Sequence, residues 1–236
     1  MMLYNTYISG TNDFQNTQRW YKFGDGNANE GDIGWSFNGD SSAAGVMYDT
    51  DTTTGPDAKA TNTKWHHVLL VVDTEQEAGT DRMVLYLDGA RAGLSDSCPI
   101  GRGGPDADWR NNWYVDKGFD TGILSGALLR IGDWNRFVHD PGNNWCYSYH
   151  GHMADIYMVD GYALKPSDFG ERTKEGNFRA FPRPDLDLRT GKGSFHLSFS
   201  RFDVDGTATD VTTNGHHFQN FGVTDGGKAT LVSNTE

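Results

Sequence analysis

Cysteine is nearly absent from this chain of 236 residues, where Cys98 and Cys146 are the only two. They allow at most one bridge, so a disulfide framework and a four-cysteine zinc site are arithmetically excluded, and two reduced thiols are the expectation. Basic charge is also scarce. Lys and Arg number 20 against 32 Asp and Glu, a net charge of −12. A surface of that sign has no field to draw in phosphate backbones or anionic lipid, so nucleic-acid partners and membrane insertion are not expected. No run of about 18 apolar residues is present to form a transmembrane helix, and with a mean hydropathy of −0.64 a soluble protein is expected. The opening Met1, Met2, Leu3, Tyr4 and Asn5 show neither a basic region nor an apolar run, so no secretion signal is expected. Long helical periodicity and internal repeats at solenoid or propeller spacing are missing as well. The length suits one ordinary domain, or one all-β domain with elaborations, better than a two-domain enzyme.

Glycine and aromatics are what the chain has in quantity: 30 Gly, 13 Phe, 10 Tyr and 7 Trp. Glycine supplies positive φ and aromatics favour pleated surfaces, so this mixture predicts many short strands joined by tight turns. The run Val68, Leu69, Leu70, Val71 and Val72 within residues 64–74 reads as a strand covered on both faces and central in its sheet. Residues 81–94 alternate through Met83, Leu85 and Leu87 into Asp88-Gly89, a dipeptide suited to a two-residue hairpin turn. The polar link at 75–80 is too short for a helical crossover, so the two segments are expected to pair antiparallel. Further strands are predicted at Ile33 to Phe37, Ala44 to Tyr48, Leu128 to Ile131, Tyr147 to Val159 and Ser194 to Phe202, with one helical turn at 165–171 between Pro166 and Gly170. A two-sheet antiparallel sandwich is the simplest way to bury them.

Charge divides the chain. Residues 1–162 hold 11 basic and 22 acidic side chains, residues 163–192 hold 7 and 5, and residues 193–236 hold 2 and 5. The middle segment also has three of the seven prolines, so it reads as a connector leaving the main body and crossing its surface.

Three stretches resemble a known family: "TKWHHVLLVVDTEQEAGTDRMVLYLDGARAG", "LLRIGDW" and "YHGHMADIYMVDGYALKPSDFGE". They look like the laminin-G-like, concanavalin A-like jelly-roll domains of structural proteins from tailed, notably marine, bacteriophages. The corresponding residues are Trp65 to Thr74, Tyr86 to Gly89, Ile131 to Gly132, Gly151 to Gly161, and Ala163 to Glu171. The similarity covers 61–171, reaches more weakly over 191–222, and is loose in the first 60 residues. It implies an all-β, antiparallel two-sheet jelly-roll sandwich over 1–171, with a long loop insertion, and a C-terminal extension over 172–236 packing on the sandwich or on a neighbouring subunit. It also implies a virion protein on the exterior surface of a phage particle. On the residues themselves, Trp65 is expected to open a buried strand and Phe169 follows a Pro-Ser turn, so both are expected to seal sheet edges, and Asp88-Gly89 and Asp160-Gly161 to be turn chemistry.

Glucanases of the same superfamily carry Glu-x-Asp-x-x-Glu on one strand, a spacing not found here, and the Asp73, Glu75, Glu77 cluster falls in a polar connection that reads as a solvated loop. Nucleophile-elbow, phosphate-loop and His-Glu-x-x-His patterns are missing too. Eight histidines include His66-His67, His216-His217 and the alternate pair His150 and His152, which would share a strand face. No third ligand accompanies them, so no metal site is expected. Calcium is the one alternative to a cofactor-free protein, through Asp25-Gly26-Asn27, Asp49-Thr50-Asp51 or Asp203-Val204-Asp205-Gly206, although ordinary Asx turns explain these runs equally well.

Residues 95–126 form a long insertion with Trp109, Arg110, Asn111, Asn112, Trp113 and Tyr114, and a second such group, Trp134, Asn135, Arg136 and Trp145, follows the next strand. Sugar recognition needs this mixture, since aromatic faces cover C–H surfaces while Asn and Arg satisfy hydroxyls. The commoner fate of loop aromatics is packing beneath their own loop or into a neighbouring subunit, because interfaces also use Trp, Tyr and Arg. Residues 109–114 are therefore the candidate glycan- or partner-binding site of a non-enzymatic virion structural protein. Its expected partners are other virion proteins, further copies of itself in a homo-oligomer, with a trimer among the symmetric choices, and host surface polysaccharide bound through avidity. The rival readings are a decoration or cement protein with only protein partners, and a polysaccharide-degrading enzyme with an unfamiliar carboxylate pair. A cofactor-free protein melts at the same temperature with calcium and with EGTA, whereas a calcium-dependent rise abolished by EGTA would establish the calcium alternative.

Overall fold

The computed structural model describes the backbone of residues 2–7, 17–22, 33–38, 43–49, 65–94, 117–118, 128–131, 133–135, 146–148, 153–182, 184, 186, 191, 193–202 and 208–216. Side chains are described within 65–92, 117–118, 131, 153–182, 184, 186, 191, 193–198 and 209–216. In chain order the elements are β1 (Met2–Tyr7), β2 (Thr17–Lys22), β3 (Ile33–Asn38), β4 (Ala43–Asp49), β5 (Val68–Val72), α1 (Gly79–Arg82), β6 (Met83–Leu87), β7 (Ala90–Arg91), β8 (Gly93–Leu94), β9 (Leu128–Ile131), β10 (Asp133–Asn135), β11 (Cys146–Ser148), β12 (Ile156–Met158), α2 (Pro166–Phe169), β13 (Gly170–Arg172), β14 (Phe178–Ala180), β15 (Phe195–Phe202) and β16 (Ala208–Asp210). Every strand pair among the described residues is antiparallel, and the two helical segments are single turns of four residues. The described residues are thus mostly strand, in antiparallel sheets, as the glycine and aromatic content implied. Among the described residues no helix is long and apolar enough to cross a membrane.

Two compact units are distinguished: Met1–Gly151 with Lys165–Pro182, and His152–Leu164 with Arg183–Glu236. In the first, β1 to β4 form a meander whose edges are extended by later strands, giving the order β8-β4-β3-β2-β1-β9. Its registers place Trp20 opposite Trp35 and Gln18 opposite Phe37. The same unit contains the pairs β10-β11 and β13-β14 and the three-stranded sheet β5-β6-β7. In the second unit β15 lies between β12 and β16, with Ile156 opposite Leu197 and Met158 opposite Phe195. Phe195 and Leu197 are buried there, and alternation turns the intervening His196 to the other face.

The β5–β6 pairing follows the expected course, running from Val68 opposite Leu87 to Val72 opposite Met83. Its internal order differs from the expectation for the apolar run. Among the described residues β5 is an edge of its sheet and each of its side chains is only partly buried. The centre is β6, flanked on both sides, where Met83 is 1% and Leu85 0% exposed. An unbroken apolar run reports the hydrophobicity of both faces and carries no information on which ladder edges are filled.

Trp65 is likewise not a buried strand opener, since it lies three residues before β5 and is 57% exposed, while Phe169 is buried at 6%. The stretch Tyr147 to Val159 is two strands rather than one, because Asp155 adopts a left-handed φ of 50° just before β12 and interrupts any extended run. Part of the 75–80 link is drawn into α1, whose Arg82 guanidinium donates to the Gln76 and Glu77 carbonyls at 2.8 and 2.9 Å. Urea denaturation of Phe169→Ala is expected to show a loss of about 3 to 5 kcal/mol. The more exposed Trp65→Ala should lose only about 1 kcal/mol, near the average for a point substitution.

Candidate functional site

The β6–β7 hairpin closes on Asp88 and Gly89 with φ of 49° and 77°, the double left-handed geometry of a type I′ turn. Asp tolerates this backbone and Gly meets it without strain. The Asp88 carboxylate then reaches the residues leading into β5. Oδ1 accepts the His67 backbone N–H at 2.9 Å, and Oδ2 accepts from His66 Nδ1 at 2.7 Å. In the other direction the Asp88 backbone N–H donates to the His67 carbonyl at 2.8 Å. A carboxylate can only accept, so the contact assigns the proton to His66 Nδ1, and its Nε2 is buried with no hydrogen-bond partner among the described residues.

The His67 ring is a packing surface. It stacks on Phe178 at a centroid distance of 4.6 Å and tilts against Phe169 at 5.3 Å. Burial pushes its imidazole below the ordinary histidine pKa, with the negative charge of Asp88 opposing that shift. Phe178 in turn lies so close to the hairpin tip that a Cβ on Gly89 would come within 2.6 Å of its Cδ2. Phe169 ends α2, where Pro166 fills the first turn and the Asp168 carboxylate accepts the Lys165 N–H at 2.7 Å. Phe178 belongs to the β13–β14 hairpin, in register from Gly170 opposite Ala180 to Arg172 opposite Phe178. The Trp-His segment, the Asp-Gly hairpin and the Pro-Ser-Asp-Phe-Gly corner, up to about a hundred residues apart in the chain, therefore meet around one imidazole.

The other end of the β5–β6 pair carries the acidic link. Asp73 organises its turn by accepting from Glu75 N–H and Gln76 Nε2 at 3.2 and 2.7 Å. Lys117 forms an ion pair with the exposed Glu77, and Gly118 N–H donates to the Thr74 carbonyl at 2.9 Å. Residues 117–118 of the insertion are thereby tied to this turn. The candidate residues Trp109, Arg110, Asn111, Asn112, Trp113 and Tyr114 lie outside the described residues, as do Arg136, Trp145, Cys98, His150, His152 and His217. Of the second aromatic group, β10 places Trp134 and Asn135 opposite Tyr147 and Cys146. The runs proposed for calcium fall outside as well, apart from Asp49 at the end of β4. Among the described residues no three His, Cys, Asp or Glu side chains converge on a point that could hold a metal ion.

The second unit has its own polar constellation. Tyr157 and His196 are cross-strand partners with stacked rings 4.0 Å apart, and His196 Nε2 lies 3.1 Å from Asp155 Oδ1. Burial, with the Asp155 charge adding to it, pushes the Tyr157 phenol up to about 12. Asp210 is buried and accepts from the backbone N–H groups of His196, Thr212 and His216 at 3.0, 2.9 and 2.9 Å and from the Thr212 hydroxyl at 2.7 Å. Burial alone would raise its pKa, but these four donors outweigh that and hold the carboxyl below its ordinary range.

Both constellations suit anchoring. The oriented His66 has its second nitrogen closed off, and Asp210 spends both oxygens on its own turn and on the His196 backbone N–H of β15. Histidine pairing at 66–67 was visible in the sequence, but the tie to Asp88 was not, because a 22-residue separation hides which turn faces which strand start. No family model, curated protein or solved structure matches the chain.

The depressed Asp210 titration fixes the sign of its acid response. The unfolded carboxyl takes up its proton first, near about pH 3.9, so the stability Asp210 contributes is complete above that value and drains away as pH falls through the folded one. Asp210→Asn should lower stability near pH 7 by about 1 to 3 kcal/mol, and the gap from the parent protein should narrow below about pH 4 in urea titrations across pH.

Proposed function

We propose that the chain is a non-enzymatic structural protein of a tailed bacteriophage, exposed on the exterior of the particle. In this reading it is a laminin-G-like jelly-roll domain with a C-terminal extension, mounted as a homo-oligomer among other virion proteins and displaying loop 109–114 toward host surface polysaccharide. The observation that carries the reading is the meeting of the resembling motifs: His66 and His67, Asp88-Gly89 and Phe169-Gly170 pack as one joint. The antiparallel strands and four-residue helical turns support the same architecture.

Display by repetition suits this architecture. A symmetric assembly multiplies a weak contact, so millimolar sugar affinity per site becomes useful attachment when several loops engage together. The net charge of −12 would keep such a surface from adhering indiscriminately to other polyanions.

Trp109→Ala and Trp113→Ala test the assignment. Loss of host-cell or polysaccharide binding by about thirtyfold, the effect of removing an aromatic anchor worth about 2 kcal/mol, with unchanged incorporation into particles, is the expected result. Loss of incorporation with no glycan binding by the parent protein would make these residues a protein interface instead. Reducing-sugar release from host polysaccharide would overturn the non-enzymatic reading.

A further inference from the structure

We propose that the Lys165–Pro182 corner is an acid-released latch, held on the β5-β6-β7 sheet through the uncharged ring of His67 and freed when that ring takes up a proton. The geometry is that of a clasp with one pin. The imidazole lies between Phe178 of β14 and Phe169 at the end of α2, with centroids at 4.6 and 5.3 Å. Phe178 simultaneously rests on Gly89 of the hairpin turn and on Gly170 at the start of β13, where added Cβ atoms would fall 2.6 and 2.5 Å from its ring. Among the described residues strand pairing of the corner is confined to β13 with β14, so the ring stack and the Phe178–Gly89 contact join the corner to the sheet.

His67 Nδ1 is buried with no hydrogen-bond partner among the described residues. A neutral ring tolerates this, because one nitrogen needs no donor role. A protonated ring carries an N–H on both nitrogens, and the one at Nδ1 would then be a charged donor without an acceptor, which costs far more than an unpaired neutral group.

The charged groups facing the ring from each packed element are few. The hairpin turn presents Asp88, whose two oxygens are already engaged by the His67 backbone N–H and by His66 Nδ1. The lead-in to β5 presents His66 itself. From β13, the Arg172 stem reaches the same turn glycine, and its guanidinium turns away to the Gly176 carbonyl at 2.9 Å. The ends of α2 and β14 present the apolar Phe169 and Phe178, while Arg179 and Glu171 pair with each other on the exposed side. Asp88 and the two phenyl rings favour the cation. Burial outweighs them, leaving the ring harder to protonate than a histidine in water. With the folded value below the ordinary 6.5, the unfolded or undocked form takes up the proton first. The latch is therefore fully closed above the ordinary value and loosens as pH falls below it.

Amide hydrogen exchange on the full-length protein tests this, with rates corrected for intrinsic pH dependence. The Phe181 N–H, bonded to the Phe169 carbonyl at 2.7 Å, and the Thr173 N–H, bonded to the Asn177 carbonyl at 2.8 Å, report on the corner, and Leu85 reports on the sheet. Between pH 7.5 and pH 5, corner protection should fall, by at most the roughly thirtyfold that protonation of the undocked ring alone allows over that range, while Leu85 protection holds. In His67→Phe, which keeps an aromatic ring but cannot titrate, corner protection should be equal at both pH values. Unchanged corner protection in the parent protein, or the same loss in His67→Phe, would overturn the latch. Should that variant not fold, NMR titration of the His67 ring in the parent protein decides the matter. A midpoint coinciding with the loss of corner protection supports the latch, and a ring that titrates without any change in the corner refutes it.

Discussion

Asp88 carries the constraint on which the best-defined part of the molecule rests. Its backbone must be left-handed for the β6–β7 hairpin to close, and in that conformation its carboxylate is delivered to the two residues leading into β5. One residue thus fixes the tip of one hairpin and the start of another strand. Hydrogen bonds to an ionised group are roughly twice as strong as neutral ones. The register of β5 on β6 is set at this end by two of them together with the reciprocal Asp88 N–H to His67 carbonyl bond. Because a one-residue slip would carry the side chains of β5 to the opposite face, that pinning preserves the pairing from Val68 opposite Leu87 to Val72 opposite Met83.

The next layer is built on the first. With His67 held by its backbone, its ring becomes a fixed platform, and the corner from Lys165 to Pro182 is organised around it through Phe169 and Phe178. Glycine at 89 is required twice over, once for its positive φ and once because Phe178 occupies the space a side chain would need. Polar turn chemistry and aromatic packing are here two consequences of one backbone geometry.

The sequence was legible where local rules decide the outcome. The Asp88-Gly89 turn, the antiparallel partnership of β5 and β6, the limits of β9 at Leu128 and Ile131, and the single turn starting at Pro166 all follow from dihedral preferences and spacing. What could not be read depended on distant neighbours. The Val68–Val72 run looks like a central strand, yet which ladder edges are filled is decided by β7 and not by β5 itself. Trp65 carries an apolar signal but sits before the strand begins, and Asp155 gives no warning of the left-handed backbone that splits 147–159. Strands β1 and β2 escaped because their apolar residues are diluted with Asn, Gln, Arg and Lys, which weakens period-two alternation. For the candidate loop, its aromatic and amide composition was readable, while the tie of Lys117 and Gly118 to the acidic turn was not, since pairing across some forty residues leaves no local trace.

The two ends of the β5–β6 pair are fastened by different forces. At the Glu77 end residues 117–118 are tied by an exposed ion pair and a backbone bond, and at the Asp88 end the corner is tied by stacked rings in a water-poor setting. An exposed ion pair weakens as salt rises and the Debye length shrinks from about 8 Å at physiological strength to about 3 Å at 1 M, whereas stacked rings are scarcely touched. Brine would therefore slacken the Lys117–Glu77 tie while leaving the aromatic joint tight, so salinity and acidity act on opposite ends of the same pair of strands.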